Sequence, residues 1–506
     1  MNRRAVLAGS VAGAVVVALD GTVLTVAQPT LRHDLGASVA QVQWTGTGYL
    51  VAVASLLVFA GRLGDRCGHR RTFAVGMLGF GAVSAGIAVA PGVGWVIALR
   101  VVQGLFGALL QPATLAMLRT AYPADGLRRP LAVRTAAIGL AAAAGPVVGG
   151  ALTTGFGWRA VFLLNVVPCL VFGVLALAPG TRPRADTRPA VALDVPGALL
   201  LAVALACLVH TLVAPLAVTA APGAAVAAVA VLTGAAFVTH ERRTPSPLLP
   251  PDVIGVPAVG GALALLVTTS AALNGALFAC VYVLQDGLGL TPLRTALLSM
   301  PLAALLIAAA PASAVLLRRA GAGPTVAGAV AVLASGLLVL AGASGPGGFC
   351  LGFALVGAGF GTVMTAAGHV VVRQAPARWA GVAGGLQQTA MNVGPVLGVA
   401  SATVLMGQAG PRTPLVALAV AAVAAVPVCR LLPGRSRPGP DALPADLPAV
   451  HPAVQPAVHP AVQPAVRPAG RPAGPPPGPA GRSDTEHTSH GVEKDLFPPS
   501  LRDHEV

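Results

Sequence analysis

Apolar residues in this chain gather in long unbroken runs rather than alternating with polar ones. Runs of about 18 to 25 residues suffice to cross a hydrocarbon core about 30 Å thick as a helix. They lie at 5–27, 42–60, 73–91, 95–118, 131–153, 159–178, 195–214, 220–239, 256–284, 293–317, 324–343, 347–372, 380–407 and 413–432. The period-two pattern of a membrane barrel strand is absent from them, and their Ala and Gly richness suits helices packed closely in lipid. The pattern predicts fourteen transmembrane helices and an all-α integral membrane protein.

The polar stretches between the runs carry a second pattern. Arginines collect in every other loop, at 62–71, 119–129, 182–188, 242–243, 318–319, 373–378 and 430–437, while the alternate loops hold only Arg32 with Asp34, Arg159, Asp286 and Arg412. Positive residues stay on the cytoplasmic side of a membrane protein, so the asymmetry predicts a multi-pass protein of the plasma membrane with both termini inside. Composition agrees, with 55% hydrophobic and only 10% charged residues and a mean hydropathy of +0.79. The net charge of +15 comes almost wholly from arginine. Its placement in alternate loops points to a lipid bilayer as partner and not to nucleic acid. Basic residues before the first run resemble a signal peptide, but the length of that run, Asp20 within it and the many runs that follow predict a retained first helix. The six cysteines are scattered without paired spacing and read as small packing residues; no metal site is expected.

Two internal echoes predict a repeat. GPVVG at 145–149 returns as GPVLG at 394–398 in the second-to-last helix, each after a basic loop containing proline, and RRAGAGPT at 318–325 resembles the end of the loop at 61–72 without its acid. The expected organisation is a six-helix bundle over 1–178, an inserted helix pair with linkers over 179–255, a second six-helix bundle over 256–433 and a Pro/Ala-rich cytoplasmic tail over 434–506. Proline at every fourth place of AVHPAVQPAVHPAVQP denies the tail a regular helix and predicts a disordered segment with polyproline II bias, whose His451 and His459 read as solvated.

No nucleophile, metal-protease or phosphate-loop signature is present, so no enzymatic activity and no cofactor is expected, and any transport draws on a gradient or a partner subunit. Ionisable groups inside a span cost at least about 2.5–3.5 kcal/mol at mid-bilayer and therefore face a cavity or a partner. Asp20 in the first helix and Arg100 in the fourth both lie about 8–11 Å from the outer boundary, close enough in depth to meet. An acid is held ionised beside a guanidinium and keeps its proton in apolar surroundings, so moving Asp20 relative to Arg100 or to water would load and unload a proton. A fixed structural pair, or a carboxylate capping a helix break near Gly21, is the alternative. Arg100, Gln103, Gly107 and Gln111 share one helical face, a polar stripe turned inward. Gln103, Gln111, Asn274, Gln388 and Asn392 are candidates for a substrate cavity, with helix-to-helix glue as the competing role for Gln388 and Asn392. His369 and His210 read as structural.

Gly145, Pro146, Gly149 and Gly150 put small residues one turn apart around a proline, a pattern that lets a neighbouring helix approach closely. In the loop GRLGDRCGHRRT, arginines fix topology and attract anionic headgroups, and the glycines permit a sharp turn. The single acid, Asp65, is suited to bind the amides at the start of the helix beginning near 378–381. Gly61, Gly64, Asp65, Arg66, Gly68 and Arg70 thereby form a candidate cytoplasmic gate between the bundles.

With these residues the chain resembles the major facilitator superfamily, in its fourteen-helix drug:proton antiporter branch. GRLGDRCGHRR is similar to the family's loop motif, LDGTVLTVAQP to its first-helix motif with Asp20 as the membrane carboxylate, LRVVQGLFGA to its fourth-helix motif, GPVVGG to its antiporter motif and WRAVFLLNVVP to a further segment. Thr25 and Gln28 stand where Asn and Leu are usual. The resemblance implies proton-coupled export of hydrophobic or amphipathic organic compounds by alternating access, in a monomer whose partners are a small organic substrate and protons. The second half has no second membrane carboxylate, which makes dicationic cargo a poor fit. A facilitator or importer of a small solute, and a membrane receptor or scaffold using its tail, are the competing readings.

Overall fold

In lipid a backbone amide finds no water, so each apolar run closes its own hydrogen bonds as a helix. The computed structural model describes residues 3–123, 126–178, 194–213, 220–244, 255–374 and 380–434; beyond 434, the expected tail lies outside the described residues. Within them the chain forms fourteen long helices: α1 (Arg3–Asp34), α2 (Val39–Cys67), α3 (His69–Ala88), α4 (Val93–Ala121), α5 (Arg128–Phe156), α6 (Arg159–Leu177), α7 (Val195–Val213), α8 (Ala220–Arg243), α9 (Pro257–Tyr282), α10 (Pro292–Ala320), α11 (Ala322–Gly342), α12 (Pro346–Gln374), α13 (Ala380–Ala409) and α14 (Thr413–Ala424). A π-helical turn, Val283–Gly287, extends α9, and a 3-10 turn, Val426–Leu431, extends α14. No strand occurs among the described residues. Eleven helices, α14 counted with its extension, are long and apolar enough to cross a bilayer, and the bent α2 makes a twelfth. The inserted pair is the weaker part of the set, α7 being a shorter apolar helix over Val195–Thr211.

The contacts repeat. In the first bundle α1 packs on α5, α2 on α4, and α3 on both α4 and α6; in the second, α9 packs on α13, α10 on α12, and α11 on both α12 and α14. Six helices thus recur in the same arrangement, and α7 with α8 is the insertion between them. The two joints that the sequence pairs also match in conformation. Gly68 between α2 and α3 has φ 91° and Gly321 between α10 and α11 has φ 84°. Both occupy a region that side-chain-bearing residues enter only with strain.

Because lipid tails are as apolar as leucine, close packing and not water exclusion drives these contacts. A Cβ on Gly394 would meet Ser270 and Val267 of α9, and one on Gly398 would press into the backbone of Ala271. The second bundle is filled by one large apolar cluster running from Val259 through Leu333, Phe353 and Val363 to Leu415. The first holds two smaller ones, around Phe73, Met77 and Phe80 and around Leu31, Trp158 and Phe162.

The main contacts between the bundles are α5 with α10 and α2 with α13, with smaller ones from α1 to α9 and α10, and α7 lies against both α2 and α13. At that seam Leu205 and Val209 of α7 cluster with Val51 and Ala54 of α2 and with Val396 and Ala400 of α13. The end where Gly68 and Gly321 join their helices, flanked by Arg66, Arg70, Arg318 and Arg319, is called here the basic end.

Replacing Gly398 by leucine should force α13 off α9 and lower the unfolding free energy by about 1–3 kcal/mol. Thermal unfolding of the purified protein checks this. Gly407, which has no atom within 4 Å of a built Cβ, should accept the same change without loss.

Candidate functional site

Five helices converge on one carboxylate. Helix α1 runs unbroken through Gly21, so Asp20 does not cap a helix break; it projects among α2, α3, α4 and α6. Asp20 and Arg100 side chains are each 1% exposed, and Nη1 of Arg100 donates to Oδ2 of Asp20 at 2.7 Å. The same nitrogen donates to Oε1 of Gln103 at 2.6 Å, and Nε donates to the Thr45 carbonyl at 2.8 Å. Asn165 of α6 donates to the second carboxylate oxygen at 3.0 Å. Gln103 reaches that oxygen at 3.5 Å and Ser84 of α3 at 2.7 Å. Ser84 in turn donates to the Phe80 carbonyl at 2.8 Å.

A buried ion pair survives where further hydrogen bonds satisfy both partners, and here α2, α3, α4 and α6 supply them. The guanidinium also lies 4.4 Å from the centre of the Tyr49 ring and 5.8 Å from that of Phe162, so aromatic faces take the place of water around the cation. Tyr49 fits because Gly107 is small, a Cβ there falling 2.8 Å from its hydroxyl. That hydroxyl is buried with no hydrogen-bond partner. The pair can therefore keep both of its charges within the membrane.

The glycine motif of α5 lies beside this network. A Cβ at Gly145 would overlap Thr22, and one at Gly149 would sit 2.7 Å from the Val23 carbonyl oxygen, both residues on the turn after Asp20. Gly150 faces the other way, 2.8 Å by the same measure from the Pro292 carbonyl oxygen at the start of α10. Next to it the Leu293 amide donates to Thr154 Oγ1 at 3.3 Å. Pro146 lies inside the helix between these contacts. One short stretch of α5 thus touches the helix bearing Asp20 and the second bundle.

At the end opposite the arginines the bundles are further joined by ionic contacts. Arg32 and His33 of α1 meet Asp286 of the π turn at 3.0 and 3.1 Å, and Gln285 donates to the Val26 carbonyl at 2.9 Å. At the basic end, Asp65 is 65% exposed and pairs with His69 at 3.3 Å. Its expected partner, the start of α13, is preceded by 375–379, which lie outside the described residues. Arg70 donates from Nε to the Ala176 carbonyl at 2.6 Å, anchoring the joint to α6. Gly61 and Gly64 lie in the last turns of α2, Arg66 in its final turn, and Gly68 forms the hinge.

The cavity candidates separate. Gln103 is fully buried in the ion-pair network. Asn274 donates to the Ser270 carbonyl of its own helix at 2.9 Å, and the Gln111 carbonyl accepts from Thr114. Gln388 and Asn392 bond to each other at 3.4 Å, which leaves the Asn392 amide nitrogen buried without a partner. Sequence reading missed Ser84, the only hydroxyl in the apolar run 73–91. It also missed Asp286 as the partner of Arg32 and His33, contacts that depend on which loops the fold brings together. Arg134 of α5 was missed because it sits at the margin of the run 131–153, neither loop nor mid-span. It donates to Thr114 at 3.0 Å, and its Nε is buried and unbonded.

A family model described as Major Facilitator Superfamily matches residues 11–398. The chain belongs to the major facilitator superfamily. Among its relatives, a tetracenomycin C resistance and export protein of Streptomyces glaucescens is 38% identical over 84% of this chain and 82% of its own length. A puromycin resistance protein of Streptomyces alboniger is 33% identical over 77% and 79%, and the multidrug efflux pump LfrA of Mycolicibacterium smegmatis is 32% identical over 76% and 77%. Among solved structures, a peptide transporter of the POT type bound to sulfate superposes with a TM-score of 0.62 at 17% identity, covering 85% of this chain and 96% of the other. A bacterial homologue of the lysosomal transporter Spinster, in an inward-facing state, gives 0.60 at 16% identity over 85% and 97%. At such identities the likeness is one of fold alone.

Replacing Arg100 by methionine should strand a buried carboxylate and cost about 3–5 kcal/mol of stability. Adding Asp20→Asn in that background should recover most of the loss, a coupling read from thermal unfolding of the two single variants and the double.

Proposed function

We propose that this facilitator is a proton-coupled antiporter that exports hydrophobic or amphipathic organic compounds by alternating access. The observation that carries the reading is the buried Asp20–Arg100 pair wedged against the glycines of α5, the helix that also touches the second bundle. Export as the direction draws on relatives whose names are those of export and resistance proteins.

A proton arriving on Asp20 cancels its charge and weakens the bond from Arg100, which keeps the Thr45 carbonyl and Gln103 as partners. Asp20 then no longer needs the cation, and α1 is free to shift along α5, where Gly145 and Gly149 offer a smooth surface. That shift reaches the second bundle through Gly150 and Thr154. In this reading the basic end is cytoplasmic, as the arginine placement implies, and both termini are inside. The Arg32–His33–Asp286 contacts then close the external side. Asp65, paired with His69 here, is free to reach α13 when the cytoplasmic side shuts. Gln111, Asn274, Gln388 and Asn392 are assigned to the walls that meet cargo. The working unit is a monomer, since one chain supplies both bundles.

The test uses purified protein in proteoliposomes loaded with a panel of toxic aromatic compounds. An imposed pH gradient should drive at least one of them uphill, an uncoupler should abolish this, and Asp20→Asn should insert normally yet lose the pH dependence. Transport that proceeds equally well whatever the pH difference would refute proton coupling.

A further inference from the structure

An open cavity of about 690 Å³ lies at the basic end of the second bundle, between α10, α12 and α13. Its wall carries Arg318, Arg373, His369 and Gln387 above an apolar floor that includes Leu317 and Met364. Arg318, Arg373 and His369 are exposed within it. Gln387 is seated against Gly368, where a Cβ would lie 2.7 Å from its amide nitrogen. Two of its three helices, α10 and α13, are also the ones that contact α5 and α2 of the other bundle.

Charge in this bundle is one-sided. Asp286 is the only carboxylate side chain between residues 255 and 434, and it is held by Arg32 and His33 at the opposite end. The one buried membrane acid of the first bundle, Asp20, is shut in with Arg100. A cation entering from the basic end therefore meets arginines and no described acid on this wall, and pays desolvation without a counter-charge. An anion on an apolar body meets two guanidiniums, an imidazole and an amide over aliphatic side chains, the arrangement that recognises a carboxylate, sulfonate or phenolate.

Resting on the export reading above, we infer that this cavity is the entry subsite for cargo, and that the cargo class is the amphipathic organic anion. The Arg318–Arg373 wall selects it and discriminates against organic cations of the same apolar body.

The experiment measures binding, not transport, so it stands even where proton coupling fails. Full-length protein in nanodiscs of phosphatidylcholine is titrated with pyrenebutyrate and with pyrenebutyl-trimethylammonium, two probes that share a ring system and differ in charge. The expected result is preferential binding of the anion, weakened about tenfold by Arg318→Gln with Arg373→Gln and retained by the paired Arg→Lys changes. The cation should be unaffected or bind better in the Gln variant. Equal losses for both probes, or none for the anion, would overturn the assignment. So would displacement of pyrenebutyrate when phosphatidylglycerol is included in the disc, which would make the cavity a seat for lipid headgroups and not for cargo.

Discussion

Asp20 and Arg100 share a compartment that water does not reach, and every neighbouring helix of the first bundle except α5 contributes to their solvation. The carboxylate takes bonds from α4 and α6, and the guanidinium gives them to α2 and α4 and lies against rings from α2 and α6. Charge in a low-dielectric interior is tolerated only in such a cage. The cage in turn fixes how the helices sit around it, since any shift of one helix removes a bond that water cannot replace.

Helix α5 stands outside this polar shell and deals with it through shape. Its glycines bring backbone against backbone beside Asp20 on one face and beside α10 on another. Packing of this kind is close but has few directional bonds, so it permits sliding where hydrogen bonds would lock. A polar centre that resists change and a smooth contact that passes motion on to the second bundle are the two parts an alternating transporter needs. The second bundle repeats the smooth contact through Gly394 and Gly398 on α9. It has apolar packing where the first bundle has the buried ion pair.

Electrostatics divides the molecule along a different line. Arginines gather at one end, and two of them, Arg318 and Arg373, line a cavity that opens there. At the opposite end the bundles meet through Arg32, His33 and Asp286, an ionic contact whose main pair is about a quarter exposed to solvent.

The all-helical fold and most of its apolar spans were legible in the sequence because they follow from hydropathy and local composition, which act on each segment separately; of the fourteen runs, eleven or twelve are long and apolar enough as helices to cross a bilayer. Asp20 and Arg100 stood out for the same reason, since a charge inside an apolar run demands a partner and their matching depth left few choices. Tertiary structure alone decided the rest. It drew Gln103 into the buried network and not onto a cavity wall, recruited Ser84 and Asn165 to the carboxylate, paired Asp65 with His69, and set Asp286 against α1. Each of these depends on which faces meet across different helices, and a side chain's hydrogen-bond partner is a matter of position in space that no periodicity along the chain encodes.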